Sequence, residues 1–148
     1  MPEKPFGEAD QGYLLLTFQT GDARYGLEAV RVQEVILVGA ITPVHHAPEY
    51  VRGIINLRGK IVTVVDVGIK LMDQETVLGE DSRILITDWK DEFVGLLVDR
   101  IGDVLALERD QIEPHPANVG EVQSHFFQGV YRNSGQVVAV LDLEALLS

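Results

Sequence analysis

The chain has 148 residues, no cysteine, and 12 Lys and Arg against 23 Asp and Glu, for a formal net charge of −11. That length suits one domain with a core of its own, and the lack of thiols excludes a disulfide framework, a thiolate zinc site, an iron–sulfur cluster and a cysteine nucleophile. The negative balance opposes a phosphate backbone, so nucleic acid is not an expected partner.

Residues 1–12 (MPEKPFGEADQG) hold two prolines, two glycines and several charges, with no apolar h-region of a secretory signal. They read as a flexible leader, followed by a single domain over 13–148. No apolar run is long enough to span a membrane, so the expectation is a cytoplasmic chain without direct membrane insertion.

Residues 13–20 (YLLLTFQT) and 23–29 (ARYGLEA) flank Gly21-Asp22, a pair suited to a tight hairpin because glycine takes positive φ readily. Residues 30–38 (VRVQEVILV) follow. If extended, they set Val30, Val32, Glu34 and Ile36 on one face and Arg31, Gln33, Val35 and Leu37 on the other. The alternation is weak, and a short helical start is the alternative. Residues 41–48 (ITPVHHAP) form a connection, since two prolines deny ladder donors and disfavour helix. Residues 48–52 are predicted to make one helical turn, opened by Pro48 and ended by Gly53.

In residues 51–71 (VRGIINLRGKIVTVVDVGIKL), Gly53 and Gly59 punctuate runs rich in Ile and Val. This predicts strand, turn and strand, closing at Asp66. A polar loop over 67–81 comes next, and a strand resumes at Arg83. Arg58 sits beside the turn glycine. Its guanidinium is a permanent five-donor fork that needs a carboxylate, a set of carbonyls or a partner surface.

The chain then repeats itself. A constant shift of 69 positions carries Gly26, Leu27, Arg31, Val32, Glu34 and Val35 onto Gly95, Leu96, Arg100, Ile101, Asp103 and Val104. A shift of 76 carries Gly53, Gly59, Asp66 and Leu71 onto Gly129, Gly135, Asp142 and Leu147. Two similar halves of short strands result, too many for one comfortable open sheet, and small all-β units remove their edges by curling. The predicted fold is all-β: two pseudo-repeated five-stranded barrel subdomains around a shared hydrophobic core, with short helical turns. Residues 61–65 and 137–141 are apolar on both faces, as strands covered on two sides must be.

What is not duplicated bears on function. Arg58 falls opposite Ser134, so closing that hairpin does not demand arginine. Its predicted partner is Glu34, for which an exposed strand charge is the alternative, since Asp103 keeps the sign. Catalytic patterns are poor. His45 and His46 are adjacent and point oppositely on an extended segment, and with His115 and His125 they lack helical metal-ligand spacing. Asp66 and Asp142 occupy equivalent strand ends, where a carboxylate caps the following turn. No serine lies in a GxSxG setting and no phosphate loop occurs. Trp89 reads as a half-buried hairpin residue. No metal and no cofactor are called for.

YGLEAVRVQEV, HAPEYVRGIINLRGKIVTVVDV, FVGLLVDRIGDV and GVYRNSGQVVAVLDLEALL, in that order, resemble the CheW family of bacterial chemotaxis coupling proteins over residues 13–147. The resemblance implies SH3-like barrels and a non-enzymatic scaffold, linking the cytoplasmic tips of chemoreceptors (methyl-accepting chemotaxis proteins) to the regulatory domain of a CheA-type histidine kinase. It further implies recruitment to receptor arrays at the inner membrane face. Carried over residue by residue, it places receptor binding at Val32, Glu34 and Arg58. Kinase binding is expected at a barrel end around Ile41, Thr42, Arg52 and Gly53, partly because a coupler cannot use one surface for two partners. One departure is Thr63, where the family commonly has proline. Related domains serve chemotaxis, twitching and surface sensing alike. The competing reading is a small-anion-binding double barrel that uses Arg58.

Overall fold

A computed structural model of the chain describes residues 12–114 and 124–148. In chain order it has β1 (Gly12–Thr20), β2 (Ala23–Glu28), β3 (Val32–Leu37), β4 (Val51–Leu57), β5 (Lys60–Asp66), α1 (Val67–Met72), β6 (Arg83–Trp89), β7 (Glu92–Val98), β8 (Arg100–Glu108), β9 (Phe127–Asn133), β10 (Gln136–Leu141) and α2 (Leu143–Leu147). A 3-10 turn, Ala29–Arg31, precedes β3. Both readings of residues 30–38 therefore apply, the helical start first and the strand after it.

The strands form two five-stranded sheets, ordered β8-β1-β2-β10-β9 and β3-β6-β7-β5-β4. The repeat governs the register. Leu16 pairs with Leu27 as Leu85 pairs with Leu96, and Gly26 meets Val140 in parallel as Gly95 meets Val64. The barrels do not coincide with the sequence halves, however. β3 pairs with β6 of the other half, and β8 pairs with β1. The second sheet is contiguous from Val32 to Val98, whereas the first is assembled from both flanks of that stretch.

Burial follows the two-sided pattern expected of these strands, except that Ile61 and Val137, the first residues of the two apolar runs, are exposed. Val62, Val64, Ile84, Ile86 and Leu97 fill the contiguous barrel, and Leu15, Leu107, Val138 and Val140 fill the other. The alternate residues of the same strands, including Leu16, Phe18, Leu27, Val65, Leu85, Leu96 and Leu141, meet between the barrels in a common core. Each of these two-faced strands thus contributes one row to a barrel and one to the shared interior.

Four local expectations differ. Residues 48–52 form no helix: Val51 N–H donates to the Pro48 carbonyl (3.0 Å) in a turn, and Val51 and Arg52 already belong to β4. The Tyr50 carbonyl accepts from Asp66 N–H at 2.7 Å, so the ladder claims this segment before a helix can form. Gly53 accordingly ends no helix. It lies inside β4 at a register shift with φ +146°, under the Thr42 carbonyl, and a Cβ there would collide with that oxygen. Its counterpart Gly129 is pressed in the same way against the Glu113 carbonyl. Lastly, the segment read as a loop from residue 67 begins with α1, whose N-cap Asp66 accepts from Ile69 N–H. Strand β1 also begins at Gly12, one residue before the predicted boundary.

Candidate interaction site at a barrel seam

β3 and β4 are the two edges of the contiguous sheet, and closing the barrel brings those edges together. Two contacts hold the seam. Thr42, beyond the end of β3, exchanges backbone hydrogen bonds with Ile54 of β4 (2.9 and 2.8 Å). At the surface, the Arg58 guanidinium at the β4–β5 tip grips the Glu34 carboxylate of β3 with both terminal nitrogens, Nη2 on Oε1 and Nη1 on Oε2 at 3.3 Å. The pairing expected from the unduplicated arginine is present, and it is bidentate.

The turn beneath it is unusual. Arg58 and Gly59 have φ of 50° and 87°, the two positive values of a type I′ hairpin, which favours Asn or Gly at the first position. Ser134 and Gly135 repeat the geometry at 50° and 81°. Both halves keep this costly backbone, yet only the first uses it to aim a guanidinium across a seam. In the second half, Ser134 Oγ turns to Asn133 instead (3.3 Å). The Arg58 side chain is 69% exposed and Glu34 34%, so the clasp is open to a partner. Hydrogen bonding to Arg58 holds the Glu34 carboxyl below the ordinary carboxylate range, against a smaller opposing push from burial, and Glu34 in turn raises the Arg58 pKa.

The other expected site residues fall in different settings. Val32 is half-buried and packs against the shared core, while the outer face of β3 exposes Val35 (42%) and Leu37 (69%). Ile41 packs on the core of the contiguous barrel, Thr42 is exposed, and Gly53 is buried beneath it. Arg52 is turned inward. Its Nη1 donates to Asp66 Oδ2 (2.8 Å) and to the Thr76 carbonyl (3.0 Å).

Sequence reasoning missed this last cluster. Fully buried Asp66 also accepts from Thr76 N–H (3.0 Å) and Thr76 Oγ1 (2.8 Å), so one carboxylate caps α1, pins the following loop and neutralises Arg52. The available signal was that Arg52 falls on Gln128 in the repeat, unmatched just as Arg58 is. Asp142 does only the capping, accepting from Glu144 and Ala145 N–H groups.

Both aspartates thus take the structural role expected of them. His45 and His46 are exposed, and His115 lies outside the described residues. Trp89 is half-buried, with Nε1 donating to Glu144 (3.0 Å). Among the described residues no cluster of three His, Asp or Glu is spaced to hold a metal, and no helix is long and apolar enough to cross a membrane.

Comparison with known proteins agrees with this architecture. The crystal structure of scaffolding protein TtCheW from Thermoanaerobacter tengcongensis superposes with a TM-score of 0.85 at 28% identity, covering 99% of this chain and 94% of that one. Chemotaxis protein CheW of Klebsiella aerogenes is 29% identical over 137 residues, covering 93% of this chain and 82% of the relative. Chemotaxis protein CheW of Rhizobium meliloti is 30% identical over 135 residues, covering 91% and 87%. Residues 14–148 match the family described as CheW-like domain, and on that match this chain belongs to the CheW-like domain family.

Proposed function

We propose that this protein is a non-enzymatic coupler that joins the cytoplasmic tips of chemoreceptors to the regulatory domain of a CheA-type histidine kinase, at arrays on the inner membrane face. The observation that carries the reading is the Arg58–Glu34 clasp, an exposed pair that contributes little to folding and has no counterpart at Ser134. Family membership supports the scaffold role.

On this reading Val32, Glu34 and Arg58 mark the receptor side. Val32 is half-buried against the shared core, so the exposed apolar surface β3 offers a partner is its outer face, at Val35. Ile41, Thr42, Arg52 and Gly53 mark the kinase side, where Thr42 presents the surface with its backbone paired to Ile54, Gly53 lies beneath it, Ile41 packs on the barrel core and Arg52 is turned inward to Asp66. The small-anion reading finds no support, because the Glu34 carboxylate already neutralises Arg58. The test is reconstitution with receptor cytoplasmic fragments and kinase: the parent chain should bind both together and raise kinase activity. Binding to neither partner would overturn the proposal.

A further inference from the structure

The comparison of halves that isolates Arg58 also isolates a second cationic feature, on the other barrel. Gln19 of β1 stands opposite Arg24 of β2 on one side and Arg100 of β8 on the other, so the three side chains form one row on one face of the sheet. They line a cleft of about 320 Å³ together with buried Thr17 and exposed Gly102 and Asp103. With strands about 4.8 Å apart, Arg24 and Arg100 emerge roughly 10 Å from each other across Gln19.

The neutral side chains of the cleft have partners within the protein: Gln19 Nε2 donates to the Gly21 carbonyl (3.1 Å) and Thr17 Oγ1 to the Asp103 carbonyl (2.6 Å). The guanidiniums are spent less: among the described residues Arg24 forms no ion pair, and Arg100 has a loose, exposed one, to Asp81 at 3.9 Å, too long for a hydrogen bond. The equivalent row of the other barrel is arranged differently. There the shift of 69 places Phe93 for Arg24, Asp88 for Gln19 and Arg31 for Arg100, and Glu144 of α2 neutralises Arg31 at 2.9 Å. The position in α1 corresponding to Glu144 is Gly68, which has no side chain to offer Arg100.

We propose that the Arg24–Gln19–Arg100 row is a docking point for an acidic segment of a partner protein, two of whose carboxylates pair with the two guanidiniums. A chain of net charge −11 repels such a segment over most of its surface, so an unpaired guanidinium beside a loosely paired one fixes where and in what orientation it can approach. Carboxylates two apart on a strand or four apart on a helix are separated by about 6–7 Å, a span two arginine side chains can close upon. Two separate carboxylates match guanidiniums rooted about 10 Å apart better than one compact phosphate does, which favours the peptide. The site lies on the opposite barrel from Arg58 and Glu34 and stands independently of the coupling role.

The test uses the full chain, a fluorescein-labelled tetraglutamate peptide and, separately, inorganic phosphate, with the arginine Nε–H signals followed by NMR. The peptide should shift the Arg24 and Arg100 signals. Arg24→Gln with Arg100→Gln should weaken it about tenfold, as loss of two charge-assisted contacts predicts, with the melting temperature unchanged. Arg132→Gln, an exposed arginine elsewhere, should have no effect. Peptide binding that survives the double substitution, or leaves both signals in place, overturns the proposal. Equal binding of phosphate overturns it too, since the cleft would then be an unselective anion site.

Discussion

Replacing Asp66 by alanine should cost far more stability than the same change at Asp142, although the two occupy equivalent positions in the repeat. Asp66 is fully buried and accepts four hydrogen bonds, from Arg52 Nη1, Thr76 N–H, Thr76 Oγ1 and Ile69 N–H. Losing the helix cap alone costs about 1 kcal/mol. Stranding the partner of a buried ion pair raises the total to about 3–5 kcal/mol. Arg52 is 20% exposed and keeps the Thr76 carbonyl, which points to the lower end, about 3 kcal/mol. Asp142 serves two backbone N–H groups and no cation, so Asp142→Ala should cost about 1 kcal/mol. Urea unfolding followed by far-UV circular dichroism and by the fluorescence of the single tryptophan, Trp89, measures both. Adding Arg52→Met to Asp66→Ala should restore part of the loss by removing the stranded charge. Equal losses at the two positions, or no rescue, would refute the assignment of Arg52 as the buried partner.

Arg58→Ala should leave the urea midpoint almost unchanged and abolish kinase activation in a reconstituted array. Arg58→Glu and Glu34→Arg should each fail, and the double reversal should recover part of the activity if the contact itself matters. Because Arg58 lowers the Glu34 pKa in the folded chain, the stability the pair contributes is present above the ordinary carboxylate pKa and lost as pH falls through the lowered value. A carboxyl NMR titration should find the Glu34 midpoint below the ordinary range, and Arg58→Ala should return it there. Val35→Glu should weaken binding of receptor fragments with little change in melting temperature. Val32→Glu should lower the melting temperature as well, because Val32 packs on the shared core. Gly53→Ala should destabilise by about 1–3 kcal/mol, through a strained φ and a collision with the Thr42 carbonyl, seen as a lower urea midpoint.

The repeat, the two-faced strands and the two capping aspartates were legible because each leaves a local mark: a glycine at fixed spacing, a run apolar on both faces, a carboxylate at a strand end. The exchange of β3 and β8 was not legible, for the same reason that the repeat was. Leu16 and Leu85 are equivalent, so Val35 would find a suitable neighbour in either copy, and pattern alone cannot say which it meets. The Arg58–Glu34 pair was accessible because an unmatched cation and a nearby anion were both conspicuous. Arg52 was equally unmatched, but its placement beside Gly53 suggested a surface turn, and only the ladder through Tyr50 and Asp66 turns it inward. Helix α1 was hidden by Gly68, a poor helix former that is needed because the Gln74 carbonyl folds back against it.

The exchange of strands has a consequence for synthesis. The β1–β2 hairpin is made first, but its lateral neighbours β8 and β10 are made last. On the ribosome the contiguous unit from Val32 to Val98 has all five of its strands available while the hairpin still waits with both edges open. Exposed edges of that kind invite pairing with other nascent chains. A truncation that stops before β8 should therefore yield a closed inner barrel trailing an aggregation-prone N-terminal hairpin. Supplying residues 99–148 as a separate polypeptide should make that fragment soluble by completing the barrel in trans.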